Sequence, residues 1–111
     1  GLVALLGDAA HPMMQYYAQG ACMAMEDAVC LSHCLDGHRD DLSAGLVAYQ
    51  DQRLVRTARV QLGSRAIGDH VYHAEGMHAR VRNEIMGGMT TDQYYDRLAW
   101  LYGSTGLSDG A

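Results

Sequence analysis

The hydrophobic positions along the chain predict one short buried strand followed by several helices. Residues 2–6 (LVALL) form a continuous apolar run, which is typical of a strand buried on both faces. A loop follows from Gly7 to Ala18, and apolar residues then recur at helical spacing from about Gln19 to Leu35. Beyond the polar break at 36–41 (DGHRDD), a long helical region starts at about Leu42.

Glycines and a threonine cap divide the second half into further elements. Gly63 and Gly68 weaken or bend the far end of the long helical region. Segment 75–88 is predicted to be a helix ending at a Gly-Gly pair, and segment 90–103 a helix with a threonine at its start. We expect residues 104–111 to fray. Inward-facing positions are expected at Met23, Ala24, Ala28, Leu31, Leu35, Leu46, Tyr49, Val60 and Leu62. Core or interface positions are expected at Met77, Met86, Tyr94, Leu98 and Leu101.

The predicted fold class is a mostly α chain with one N-terminal β-strand and about four helices. A lone buried strand needs neighbours along both edges, and no later segment is rich enough in β-forming residues to supply them. We therefore expect the chain to be the C-terminal part of a larger protein whose sheet contains residues 2–6.

Composition narrows the classes of partner. A net charge of −5 over 111 residues argues against broad binding to nucleic acid or to an anionic membrane. No apolar stretch approaches the roughly 20 residues that span a bilayer. Cys22, Cys30 and Cys34 are odd in number and fall in one predicted helix, which indicates reduced thiols in a cytoplasmic setting rather than a disulfide framework.

The loop after the predicted strand carries the residues most suited to a ligand. Asp8 would lie at the carboxyl end of the strand, where its carboxylate could accept hydrogen bonds from a polyol, and Gly7 would permit close approach. Gly20 would open a helix whose first N–H groups suit an electron-rich oxygen. The same pattern also fits an ordinary strand–loop–helix turn in which Asp8 is a local cap.

The motif GDAAHP…QG…MEDA (Gly7–Ala28) resembles the second FAD-binding motif of the group A flavin-dependent aromatic hydroxylases, the para-hydroxybenzoate hydroxylase-like monooxygenases. The resemblance implies an α/β parent fold in which residues 1–35 finish the FAD-binding domain and residues 36–111 form a helical region. It implies that Asp8, after Gly7, binds the ribitol of FAD. It also implies that the backbone amides of Gly20, Ala21 and Cys22 face the pyrimidine edge of the flavin.

Gln15 occupies a position where most members of that family have proline. The variant and the tail YHAEGMHARVRNEIM…YDRLAWLYGSTGL most resemble the 3-hydroxybenzoate 6-hydroxylase subgroup, whose motif carries Gln-Tyr here. This resemblance implies that NADH or NADPH reduces FAD, and that O2 forms a C4a-hydroperoxide that converts a small aromatic acid, 3-hydroxybenzoate, to gentisate. Gln15 would be the active-site side chain in this chain. A homodimer is a further expectation. A salicylate 1-hydroxylase is the alternative within the family.

The remaining candidates favour structural roles. His11 is expected to hydrogen-bond within the loop, and Asp27 to act as a scaffold for it. Tyr16 and Tyr17 either line the pocket or wedge the loop against the sheet. Cys30, His33, Cys34 and His38 lack a paired metal motif, and His70, His73 and His78 lack the H-E-x-x-H arrangement. Arg53, Arg56 and Arg59 are expected to form a solvated face. A small non-catalytic helical or metal-binding module is the competing class.

Overall fold

The computed structural model describes residues 1–107, which form four α-helices joined by short connections. In chain order these are α1 (Gly20–Gly37), α2 (Leu42–Ile67), α3 (Gly76–Gly87) and α4 (Thr91–Tyr102). The predicted mostly α class with four helices is confirmed. Residues 104–107 are irregular, and the rest of the segment expected to fray, residues 108–111, lies outside the described residues. Within residues 1–107, no helix is long and apolar enough to cross a membrane.

The predicted strand at residues 2–6 is not formed among the described residues. The segment is extended at Leu6 (φ −145°, ψ 164°) but pairs with no second strand. Its apolar side chains are largely exposed, with 87% of Val3 accessible. The prediction of a buried strand was wrong for this part of the chain, because backbone ladders need a neighbouring strand and residues 2–6 find none within 1–107.

Capping residues explain where the later helices begin. The Asp41 carboxylate accepts a hydrogen bond from the Ala44 N–H at 3.0 Å and opens α2. Thr90 and Gln93 form a reciprocal capping box at the start of α4. By contrast, the side chain of Gln19, which precedes α1, makes no capping bond. The start of α1 therefore leaves backbone donors available.

Helix α2 passes through Gly63 without a break and changes character at Gly68. There the chain enters a π-helical turn, Gly68–Tyr72, in which each backbone bond spans one residue more than in an α-helix. The predicted weakening at the far end of this helix therefore takes the form of a change in helical pitch after residue 67.

The core lies where α1 and α2 face each other. One buried cluster contains Met23, Val60 and Leu101, and a second contains Cys30, Cys34 and Tyr49. The expected inward positions at Tyr49 and Val60 and the expected core position at Leu101 are confirmed. The expectation was wrong for Ala28 and for Leu62, which is 65% exposed because it lies on the outer side of α2. Met77 and Tyr94, expected in a core or interface, are exposed as well.

Candidate functional site

Four of the predicted site residues line one cleft in front of α1. Its volume is about 580 Å³, and its walls come from the loop and from the first turns of the helix. Asp8 and Gln15 contribute from the loop, whereas Gly20 and Ala21 contribute from the helix start. The full lining is Asp8, Met13, Met14, Gln15, Ala18, Gln19, Gly20, Ala21 and Ala24. Asp8 and Gly20, which are 12 positions apart in sequence, therefore face a common space.

The amino terminus of α1 provides the hydrogen-bond donors of this cleft. The first backbone bond into the helix runs from the Met23 N–H to the Gln19 carbonyl at 2.8 Å. The preceding N–H groups, at Gly20, Ala21 and Cys22, consequently have no intrahelical acceptor. A Cβ built on Gly20 would meet no atom within 4 Å, so the space beside this terminus is open. Donors and the positive end of the helix dipole together suit an electron-rich oxygen.

Two predicted site residues lie at the margin of the cleft. The side chain of Cys22 lines a neighbouring depression with Met25 and Glu26, so only its backbone amide belongs to the helix start. Gly7 is buried and has a φ of +60°, a conformation that side chains rarely adopt. A Cβ on Gly7 would be 3.5 Å from the Ala24 Cβ, which is ordinary contact. The positive φ, rather than a lack of space for a side chain, therefore explains why this position is glycine.

A buried carboxylate anchors the loop to the helices behind it. Asp27 in α1 is fully buried, and its Oδ2 atom accepts a hydrogen bond from the Gly7 N–H at 2.9 Å. The same oxygen bonds to Nε2 of His11, and Oδ1 accepts from Arg53 Nε at 2.7 Å. The structure thus confirms the expected hydrogen-bonding role of His11 and the expected structural role of Asp27 in the loop.

The ion network continues outward from Asp27 through a second carboxylate. Arg53 Nη1 donates to Glu26 Oε2 at 2.8 Å, and Arg56 binds Glu26 through Nε and Nη2 at 2.7 and 2.8 Å. Arg56 also donates to the carbonyls of Trp100 and Leu101, at the end of α4. Two arginines of α2 therefore link α1, α2 and α4.

The predicted solvated arginine face was wrong for two of its three members. Arg53 is 3% exposed, and the side chain of Arg56 is 14% exposed. Arg59 lies on the surface, with its guanidinium 3.9 Å from the Trp100 ring centroid. The acidic residues that balance the two inner arginines belong to α1, 26 to 30 positions earlier in the chain. Spacing within α2 alone does not reveal them.

Burial and hydrogen bonding act in opposite directions on the two carboxylates. Burial raises the pKa of Asp27, but hydrogen bonds from the Gly7 N–H, Arg53 and His11 outweigh it and leave the pKa below its ordinary value. Burial likewise raises the pKa of Glu26, and Arg56 and Arg53 bring it below the ordinary range. Both groups are therefore anions at neutral pH.

The other clusters flagged in the sequence do not form a metal site in the described part of the chain. Within residues 1–107, no three His, Cys, Asp or Glu side chains are grouped so that they could hold a metal ion. Cys30 and Cys34 contact the side chain of Gln52 at 3.5 Å. His78 bonds to His70 at 2.6 Å, and His73 bonds to the Tyr16 hydroxyl at 2.5 Å.

Tyr16 and Tyr17 wedge the loop against α2 and the π-helical turn. The Tyr16 ring stacks on Tyr72 with 5.0 Å between centroids, and Tyr17 meets Trp100 edge-on at 6.2 Å. Neither tyrosine is part of the cleft that Asp8 lines. Of the two roles left open by the sequence, the structure shows wedging, but against α2 and the π-helical turn rather than against a sheet.

Comparison with known proteins identifies relatives along nearly the whole chain. The chain is 57% identical over 103 residues to 3-hydroxybenzoate 6-hydroxylase 1 of Aquipseudomonas alcaligenes, an alignment that covers 93% of this chain and 26% of the relative. This chain is homologous to one segment of the 3-hydroxybenzoate 6-hydroxylases. It is also 50% identical over 103 residues to the 3-hydroxybenzoate 6-hydroxylase of Polaromonas naphthalenivorans, again over 93% of this chain and 26% of the relative. No family model matches the chain.

The name of a more distant relative includes its cofactor, FAD. The chain is 47% identical over 98 residues to an FAD-dependent urate hydroxylase of Mycolicibacterium vanbaalenii, which covers 88% of this chain and 22% of the relative. The chain thus spans about a quarter of the length of the curated relatives it matches. These homologies confirm the hydroxylase resemblance that the GDAAHP motif predicts.

Proposed function

We propose that this chain forms one wall of the FAD site in a monooxygenase that hydroxylates 3-hydroxybenzoate to gentisate. The observation that carries the proposal is the common cleft of Asp8, Gln15 and the unpaired amides at the start of α1. The 3-hydroxybenzoate 6-hydroxylases at 50–57% identity support the choice of reaction. The FAD-dependent relative supports the choice of cofactor.

The residues of the cleft fit the flavin contacts assigned to them. The exposed Asp8 carboxylate can accept hydrogen bonds from the hydroxyls of a ribitol chain. The amides of Gly20, Ala21 and Cys22 can donate to the carbonyl edge of an isoalloxazine ring, and the open space beside Gly20 lets that edge approach. FAD, when bound and reduced by NADH or NADPH, supplies the reduction of O2 that adds one oxygen atom to the aromatic ring.

Gln15 is assigned to the substrate side of the cleft. Its side chain is exposed and forms no hydrogen bond with another residue in the 1–107 range, so its amide is free to bind a ligand. An amide can donate to a carboxylate and accept from a phenol, which are the two polar groups of 3-hydroxybenzoate. Gln15 would therefore orient the ring toward the flavin.

Product identification tests this proposal. We expect the full-length protein to purify as a yellow flavoprotein that oxidises NADH faster when 3-hydroxybenzoate is added and releases gentisate. Catechol formed from salicylate would instead assign the salicylate 1-hydroxylase reaction. A colourless protein that retains zinc would contradict the hydroxylase assignment and favour a small binding module.

The homodimer and the cytoplasmic setting stay predictions, the latter supported by the three free cysteines.

A further inference from the structure

Helix α2 holds the backbone of the loop that carries Gln15. Three of its side chains donate to backbone carbonyls, one just before the loop and two within it: Tyr49 Oη to Leu5 O at 3.0 Å, Gln61 Nε2 to Pro12 O at 2.9 Å, and Ser64 Oγ to Met14 O at 2.5 Å. Tyr49 and Ser64 are buried, and Gln61 is half-buried. The last of these bonds ends on the carbonyl directly before Gln15.

The residues after Gln15 are held by the same helix and its π-helical extension. The Tyr17 ring lies against Gly63, where a Cβ would come within 2.7 Å of Tyr17 Cε2. The Tyr16 ring lies against Gly68, where a Cβ would come within 2.4 Å of Tyr16 Cε2. Both approaches require glycine. The turn containing Gln15 is therefore held on its two sides.

The hydrogen bond from Ser64 is the shortest of the three bonds from α2. Its side chain is fully buried, and its hydroxyl has the Met14 carbonyl as acceptor. The Gln15 side chain makes no hydrogen bond to any residue between 1 and 107, so its direction depends on its own backbone. A shift of the Met14 carbonyl consequently changes where the Gln15 amide points.

We infer that Ser64 is a positioning residue for substrate: it fixes the Met14–Gln15 peptide so that Gln15 presents its amide to the aromatic acid. This inference rests on the proposed function, because it gives Gln15 a substrate to orient. Misplacing a substrate-orienting group by about 1 Å can slow the chemical step by roughly 100-fold, even when the cofactor stays bound. Ser64 acts through Gln15 and does not touch the cleft itself.

The test compares Ser64→Ala with Thr57→Val in the full-length protein. Thr57 is the matched control, since its buried hydroxyl donates to the Arg53 carbonyl of its own helix at 2.9 Å and not to the loop. Hydrogen exchange of the amides in segment 13–18 should be roughly fivefold to tenfold faster in Ser64→Ala and unchanged in Thr57→Val. Hydroxylation should slow by roughly 10- to 100-fold in Ser64→Ala alone, with FAD content unchanged.

A double variant separates positioning from general destabilisation. In a Gln15→Ala background, adding Ser64→Ala should cause no further loss of hydroxylation if Ser64 acts through Gln15. Gln61→Met removes the bond to the Pro12 carbonyl and should also speed exchange in segment 13–18 and slow hydroxylation. This variant replaces Ser64→Ala in the test if Ser64→Ala does not fold. Equal exchange and equal hydroxylation in Ser64→Ala and Thr57→Val would overturn the inference while leaving the proposed function intact. A wild-type protein without flavin or hydroxylation would overturn both.

Discussion

The backbone N–H of Gly7 donates to the Asp27 carboxylate at 2.9 Å, across 20 positions of sequence. The bond connects the turn that presents Asp8 to the second turn of α1. The first turn of the same helix supplies the amide donors. Arg53 holds the other oxygen of the same carboxylate from α2. The two sides of the proposed flavin site are therefore joined through one buried anion.

Replacing this anion should destabilise the protein severely. Asp27→Asn removes the charge opposite the buried Arg53, and breaking one partner of a buried ion pair costs about 3–5 kcal/mol. We expect the free energy of unfolding in urea to fall by that amount. Asp36→Asn is the control, because the Asp36–Arg39 pair is exposed and surface pairs contribute little. A loss in Asp27→Asn no larger than in Asp36→Asn would refute the anchoring role.

The same network predicts how stability depends on pH. The folded-state pKa values of Asp27 and Glu26 are lowered, so their contribution is complete above the ordinary carboxyl pKa of about 4. On acidification the unfolded chain takes up these protons first, and the contribution is lost as the pH falls through the folded-state values. Urea unfolding between about pH 7 and pH 3 should show stability falling with acid. The fall should be shallower in Asp27→Asn, and an unchanged slope would argue against the network.

Gly63 provides a test of how closely the loop packs on α2. Alanine at this position would place Cβ 2.7 Å from the Tyr17 ring, which must then move. We expect a net destabilisation of about 1–3 kcal/mol, despite the higher helix propensity of alanine. Gly37→Ala in α1 is the matched control, since its Cβ would meet nothing within 4 Å and should be neutral or slightly stabilising. Similar melting temperatures for the two variants would show that the tyrosine is not held there.

The three cysteines should differ in reactivity. Burial raises the pKa of the Cys30 thiol to about 11, whereas Cys22 is half-buried at the start of α1. Since the thiolate is the reactive form, alkylation near pH 8 should label Cys22 well before Cys30. Peptide mapping by mass spectrometry measures the order of labelling. Labelling of Cys30 at the rate of Cys22 would contradict the packing of α1 against α2.

Elements that depend on local signals were predictable from the sequence. The threonine cap, the glycine-flanked helix ends and the helical spacing of apolar residues locate α1 to α4 within a few residues, because caps and periodicity are encoded within a single element. The motif likewise placed Asp8 and Gly20 on a common site, and the structure has them lining one cleft.

Features that depend on contacts between distant elements were not predictable in this way. Arg53 follows a spacing that is typical of a solvated face, and only the packing of α1 on α2 brings Asp27 to it. Gly63 and Gly68 indicated weak helix, whereas their role is to admit two tyrosine rings from the loop. The apolar run at 2–6 indicated burial, but an apolar segment is buried only where a neighbouring surface meets it. No local pattern specifies these partners.

FAD binding by an Asp8 variant distinguishes a flavin site in this cleft from an ordinary loop–helix turn. The full-length wild type, Asp8→Ala and the control Asp36→Ala would be compared by flavin content and by titration of the apoprotein with FAD. Loss of hydrogen bonds to the Asp8 carboxylate should raise the FAD Kd by roughly 10-fold or more, whereas Asp36→Ala should bind as the wild type does. Equal FAD affinity in all three proteins, or a wild type that binds no FAD, would contradict the assignment of this cleft to the flavin.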